Sequence, residues 1–142
     1  MRYAYPVDVL EEAAGVTVTC PDVPEMVTGG WGDVAANLEA AEDALATALS
    51  GYVDDARPIP APSPAEGRPV VAVDALAAAK LALLGAMLEQ GISNVELAGR
   101  LGLDEKAVRR LRDPLHRSHI GAVEAALRAL GRRLVVEVLE IA

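Results

Sequence analysis

Residues 93–112 read SNVELAGRLGLDEKAVRRLR, and their spacing leaves room for little except two short helices joined by a tight turn. Ser93 followed three residues later by Glu96 is a capping box that starts the first helix near Asn94. Gly102 ends it, because only glycine takes the left-handed turn conformation without steric cost. Asp104 and Glu105 suit the positive end of a second helix, and Pro114 cannot continue one. Leu97 and Leu101 share one face of the first helix, and Ala98 is small enough for a close crossing. Leu103, Val108 and Leu111 should form the buried face of the second. This is the pattern of a helix-turn-helix, whose second helix enters the DNA major groove. The exposed face of that helix then carries Lys106, Arg109, Arg110 and Asp113. Arginine pairs bidentately with guanine, and lysine contacts phosphates.

Charge divides the chain. The net charge is −8, yet residues 1–60 hold two basic against eleven acidic residues, whereas residues 61–142 hold eleven against ten. Residues 100–119 alone carry six basic and three acidic side chains. The first half should repel nucleic acid and attract a basic partner, while the second suits DNA. At 52% apolar residues and no Phe, the cores must be built from Ala, Val and Leu. A single cysteine, Cys20, forms no internal disulfide; alternating with Val16 and Val18, it reads as a small buried hydrophobe. No signal peptide is visible, and the longest apolar run, residues 75–88, is too short to span a bilayer. The expectation is a soluble cytoplasmic protein.

The first half reads as strands and one helix. Residues 2–10 alternate, with Tyr3, Tyr5, Val7 and Val9 on one side, and Pro6 points to a sheet edge or a bulge. Residues 16–20 form a second strand that pairs back antiparallel, and residues 26–28 a short third one ended by Gly29 and Gly30. Val34, Leu38, Ala41, Leu45, Leu49 and Tyr52 recur at helical spacing, so a long amphipathic helix covers about residues 33–53. Residues 57–69 carry five prolines and suit a semi-extended linker. Residues 70–73 are a fourth strand or the end of that linker.

The second half is helical. Leu76, Leu83, Leu84, Met87 and Leu88 form a stripe with Lys80 on its margin, and Gly91 ends that helix. The two helices of residues 94–112 follow. A last helix over about 119–130, capped by Ser118, turns Ile120, Val123, Leu127 and Leu130 inward and stops at Gly131. Residues 134–141, LVVEVLEI, have the composition of a strand, which needs a partner for its backbone groups. That partner is residues 70–73 or the same segment of a second copy. The second choice gives a two-fold dimer with Leu134, Val136 and Val138 at the seam, the arrangement that reads palindromic half-sites. The fold class is α+β, with domains at residues 1–56 (to 73 if 70–73 is a strand) and 74–142.

The whole chain resembles the HicB antitoxins of bacterial type II toxin–antitoxin systems. The resemblance rests on Tyr5-Pro6-Val7, the corner Pro21-Asp22-Val23-Pro24-Glu25, Val27-Thr28-Gly29-Gly30, and Arg57-Pro58-Ile59-Pro60-Ala61-Pro62-Ser63. In the second half it rests on residues 97–103, 108–111, 113–118 and 126–131, which follow the helix-turn-helix version of the family. Cys20 departs from it where an aromatic residue is common, as does Trp31 where an acidic one is. The resemblance implies a first domain like a truncated RNase H fold. It implies a basic partner, the mRNA-cleaving toxin HicA, whose RNA-facing surface and catalytic His the antitoxin masks. It also implies binding to the operator of its own operon. Lys106, Arg109, Arg110, Arg112 and Arg117 are then the candidate DNA contacts. Asp22, Glu25, Thr28 and Trp31 mark the neighbourhood of the toxin. The assembly is a homodimer, with a tetramer left open.

Enzymatic chemistry finds little footing in the residues. An RNase H-type site needs several carboxylates converging on two metal ions, and Asp8, Glu11, Glu12, Asp22, Glu25 and Asp33 lie mostly in turns or on solvent-facing positions. Neither a cysteine–histidine metal cluster nor a phosphate-binding glycine loop is present, so neither cofactor nor metal is expected. The second reading is a stand-alone transcriptional regulator whose first domain binds a ligand or another protein. It would need a closed apolar pocket there and no small basic reading frame beside its gene.

Overall fold

Pro6 lacks the N–H that a continuous ladder needs, and the first strand divides beside it. In the computed structural model, which describes residues 2–138 and 140, β1 (Ala4–Pro6) pairs with β5 (Val70–Ala72), and β2 (Asp8–Glu12) pairs with β3 (Gly15–Thr19). Val7, between them, donates to Pro69 O at 2.9 Å. The side-chain alternation survives the change of partner: Tyr5 and Val7 are fully buried and Val9 packs on the same core. Both pairings are antiparallel, with Tyr5 opposite Val71 and Val9 opposite Val18. β4 (Val27–Gly30) adds to the other side of β3 and includes the two glycines expected to end it. The register explains why: Gly29 faces Thr17, and a Cβ there would lie 2.3 Å from Val16 O.

Asp33 caps α1 (Val34–Asp54) by accepting from Ala36 N at 2.8 Å. The buried Asn37 donates to Trp31 O and Asp33 O, tying the end of β4 to the helix start. Ala41, Leu45, Leu49, Tyr52 and Val53 of α1 close a first core with Tyr5, Val7, Val16, Val18, Cys20, Val23, Met26 and Val71. Residues 57–69 do not hang free. Tyr5 Oη donates to Pro60 O at 2.7 Å, Ser63 donates its N–H (2.8 Å) and hydroxyl to the Asp22 carboxylate, and Ile59 packs on the first core. An extended proline-rich backbone has no internal hydrogen bonds, so its carbonyls and N–H groups are open to such tethers. The strand that follows, β5, belongs to the first layer.

α2 (Ala75–Gln90) is capped by Asp74 and ends at Gly91, with φ 63°. Its apolar positions serve two cores. Ala77, Leu81 and Leu84 join the first; Ala79, Leu83, Ala86 and Met87 join a second, with Leu97, Ala98, Val108, Leu111, Val123, Ala126, Leu127 and Leu130. A helix apolar nearly all round is a buried one. No single helix among the described residues is long and apolar enough to cross a membrane; α2 and the next helix pass such a test only as a pair bent by 109°.

α3 (Asn94–Leu101) carries the Ser93–Glu96 capping box, and Gly102 follows at φ 66°. α4 (Glu105–Arg112) is capped by Asp104, and α5 (Ile120–Ala129) completes the unit. Several expectations fail locally. Leu103 is exposed because it lies in the turn, bonded through its N–H to Ala98 O, before α4 begins. Ile120 is exposed at the open first position of α5. Ser118 does not cap α5; its hydroxyl accepts from Lys80 Nζ instead. The expected C-terminal strand is not formed within the chain: residues 132–138 have no regular structure, and Val70–Ala72 pairs with β1 and not with this segment. Leu134 packs on the second core while Val135, Val136 and Val138 are exposed. Leu139 and Ile141 of that expected strand lie outside the described residues.

Candidate functional site

Two surfaces stand out, one on each unit. The first is the outer face of the β2–β3–β4 sheet. Residues directly opposite in an antiparallel ladder point to one side, so Asp8, Leu10 and Glu12 share a face with Gly15, Thr17, Thr19, Val27 and Gly29. The opposite face, with Val16 and Val18, is covered by α1. Leu10 is 56% and Val27 62% exposed, and a shallow groove of about 420 Å³ runs over Glu12, residues 14–17 and residues 27–30. An antiparallel sheet often has one wet face, but that face is ordinarily polar. Here the middle strand presents only Gly15 and two threonines, the outer strands carry exposed Leu10 and Val27, and Asp8 and Glu12 make the β2 edge acidic. Trp31, 82% exposed, stands at the end of β4 beside it.

Of the four residues singled out near this surface, Trp31 alone projects freely. Asp22 is committed to Ser63, whose two hydrogen bonds hold the carboxyl below its ordinary range. Glu25 accepts from Tyr52 Oη at 2.7 Å, which lowers its pKa, and Arg57 adds an ion pair at 3.5 Å. Arg57 also stacks 3.9 Å over the Tyr52 ring. Thr28 lies on the inner side, opposite Val18. Leu10 and Thr17 belong to no motif at the level of sequence, and Glu12 and Val27 enter there only as a carboxylate and as part of a family motif. The signal was present in Leu10, an apolar residue out of phase with Val7 and Val9.

The second surface is α4. Lys106, Arg109 and Arg110 are exposed, as is Arg117 in the following loop. Arg109 pairs with Glu105 at 2.8 Å along the helix, a contact worth a few tenths of a kcal/mol. Arg112 does not belong with them. Its guanidinium turns inward and donates to Asn94 Oδ1, with a longer bond to Val53 O at 3.4 Å, and its Nε is buried. Burial lowers its pKa, with Arg109 acting in the same direction and Asp54 opposing both. It braces α4 against the start of α3 and the end of α1.

Lys80, expected at a helix margin, is fully buried. Its ammonium donates to Arg110 O, Asp113 O and Ser118 Oγ, each at 2.9 Å, and to His116 O. Burial pushes its pKa down, and Asp113 and Asp74 counter this. Cys20 is buried, its thiol is pushed up by that burial, and its Sγ faces Pro6 O at 3.7 Å, an environment for packing and not for a nucleophile. Among the described residues no three His, Cys, Asp or Glu side chains are grouped so as to hold a metal ion.

Residues 2–82 match a family model described as HicB-like antitoxin of bacterial toxin-antitoxin system. That stretch contains the whole first layer and the first half of α2. It belongs to the HicB antitoxin family. Relatives extend the match over the second unit as well. Antitoxin HicB of Pseudomonas fluorescens (strain Pf0-1) is 44% identical over 140 residues, covering 97% of this chain and 95% of the relative. Antitoxin HicB 2 of Photorhabdus laumondii subsp. laumondii is 42% identical over 130 residues, covering 92% of each. Antitoxin HicB of Escherichia coli (strain K12) is 38% identical over 135 residues, covering 94% of this chain and 96% of the relative. The HicB relatives carry the name of an antitoxin and not that of an enzyme.

Proposed function

We propose that the chain neutralises a HicA-type mRNA-cleaving toxin through its first unit and represses its own operon through its second. Residues 1–73 form the toxin-binding unit, read as a truncated RNase H-like layer, and residues 74–142 the helix-turn-helix and dimerisation unit. The observation that carries the toxin reading is the open sheet face, apolar at Leu10 and Val27 and acidic at Asp8 and Glu12. A basic RNA-binding partner complements it in charge, and apolar exposure of this kind marks an interaction site. For DNA the support is α4, whose outward side chains are mostly basic while its apolar ones are packed toward α2 and α3.

Toxin contact centres on Leu10, Val27 and Trp31, with Asp22 and Glu25 shaping the corner behind them. DNA contact falls to Lys106, Arg109, Arg110 and Arg117. Leu134, Val136 and Val138 pair with a second copy, which gives the operator two half-sites. The protein then works in the cytoplasm, beside its operator and its toxin. Co-expression with the small basic reading frame adjacent to its gene tests the first part. A co-purified complex and rescue from growth arrest are expected; growth arrest with no complex would sink the toxin reading and leave a stand-alone regulator. For the second part, Arg109→Ala and Arg110→Ala should weaken binding to the upstream DNA at fixed salt while leaving neutralisation intact.

A further inference from the structure

A proline four residues after Arg110 removes the N–H that would otherwise satisfy the Arg110 carbonyl, since Pro114 has none to give. The structure meets that deficit from another helix. Lys80 reaches from α2 to Arg110 O, and the same ammonium takes Asp113 O, His116 O and Ser118 Oγ. Four acceptors share three N–H bonds, and all four belong to the last turn of α4 or the loop behind it. A positive charge at that end also faces the negative pole of the helix. The side chain is fully buried, out of reach of bulk solvent. Two exposed arginines sit on the backbone it holds. Arg110 supplies one of the carbonyls, and Arg117 lies between His116 and Ser118, both bonded to the ammonium.

We propose that Lys80 is the positioning residue for DNA reading: by gathering the end of α4 and residues 113–118 around one ammonium, it sets where Arg110 and Arg117 meet DNA. The assignment rests on the DNA reading of α4 given above. A bidentate arginine contact discriminates between bases only in the right geometry, whereas attraction to phosphates tolerates displacement. Lys80 therefore governs preference between DNA sequences more than affinity for DNA as such. α2 also contributes Ala77, Leu81 and Leu84 to the first core, so the residue that aims α4 is carried on a helix shared with the first unit.

The test uses the full chain and two DNA fragments of equal length, one from directly upstream of its reading frame and one with that sequence scrambled. Binding is measured at one salt concentration, and below the onset of melting of every variant. Lys80→Met, which keeps length and removes the donors, should lower the ratio of upstream to scrambled affinity about tenfold, the loss of one good base contact. Affinity for the scrambled fragment should stay unchanged, and Lys80→Arg should recover part of the ratio. A folded Lys80→Met with the wild-type ratio overturns the proposal. If Lys80→Met does not fold, Ser118→Ala and Lys80→Arg replace it: a reduced ratio in both supports the role, and an unchanged ratio in both overturns it. Wild-type protein that binds the two fragments equally overturns the DNA reading itself. A ratio lost in Arg110→Ala but kept in Lys80→Met overturns only the role of Lys80.

Discussion

At the scale of single residues, charge type says little about charge role until neighbours are known. Arg112 and Arg110 are two positions apart on α4, yet one braces α3 and α1 and the other faces solvent. Arg112→Ala should therefore cost about 1 kcal/mol of stability, the typical net worth of a hydrogen bond that is only half-buried, whereas Arg110→Ala should leave the thermal midpoint nearly unmoved. A melt of each variant checks this. Asp22 gives a pH prediction with a definite sign. Its folded pKa is held below the unfolded one by Ser63, so the Asp22–Ser63 tether contributes fully above the ordinary aspartate range near pH 4 and is lost as pH falls below it. Melting wild type and Asp22→Asn between about pH 6 and pH 3 should show the difference between them shrinking toward acid. A constant difference would mean that the carboxylate charge is not what holds residue 63.

At the scale of elements, local capping and turn chemistry is where sequence and structure agree most closely. Ser93, Glu96, Gly102 and Asp104 take the positions expected of them because their bonds lie within three or four residues. Ser93→Ala or Asp104→Ala should cost about 1 kcal/mol each, read from denaturant unfolding. The β sheet depends on pairings across the chain, and its outer face became legible only through register. Replacing Val27 by Asp should abolish co-purification with the toxin while shifting the melting midpoint little, since its side chain is already 62% exposed. Retention of the complex would move the contact surface elsewhere. Gly29→Ala, in contrast, should loosen β4 itself, because the added methyl meets the Val16 carbonyl.

At the scale of the whole molecule, α2 makes the two units interdependent. Leu81 is fully buried in the first core and Leu83 in the second, two residues apart. Leu81→Ala and Leu83→Ala should each cost about 2–5 kcal/mol, and calorimetry should show either one lowering a shared transition. Two separate transitions, with only one of them moved by each substitution, would mean that α2 does not join the units. The C-terminal segment is a matter of assembly. Exposed Val135, Val136 and Val138 without backbone partners fit a strand completed by a second chain. Removing residues 134–142 should yield a monomer by light scattering; a persistent dimer would place the seam elsewhere.

The sequence by itself determined what short-range physics controls: the caps, the turn glycines, the helical spacings of α1 and α3–α5, the alternation of the strands and the division of charge between the halves. Each depends on residues close together in the chain, and the family resemblance drew on the same local motifs. Tertiary structure alone decided that residues 57–69 are tethered to the first layer, that Val70–Ala72 joins β1, that α2 serves two cores, that Lys80 is internal and that Arg112 turns inward. These outcomes turn on which distant apolar faces pack together and which distant polar groups lack a partner. The Arg110 carbonyl needs a donor because residue 114 is proline, but only the packing of α2 against α4 brings Lys80 within reach.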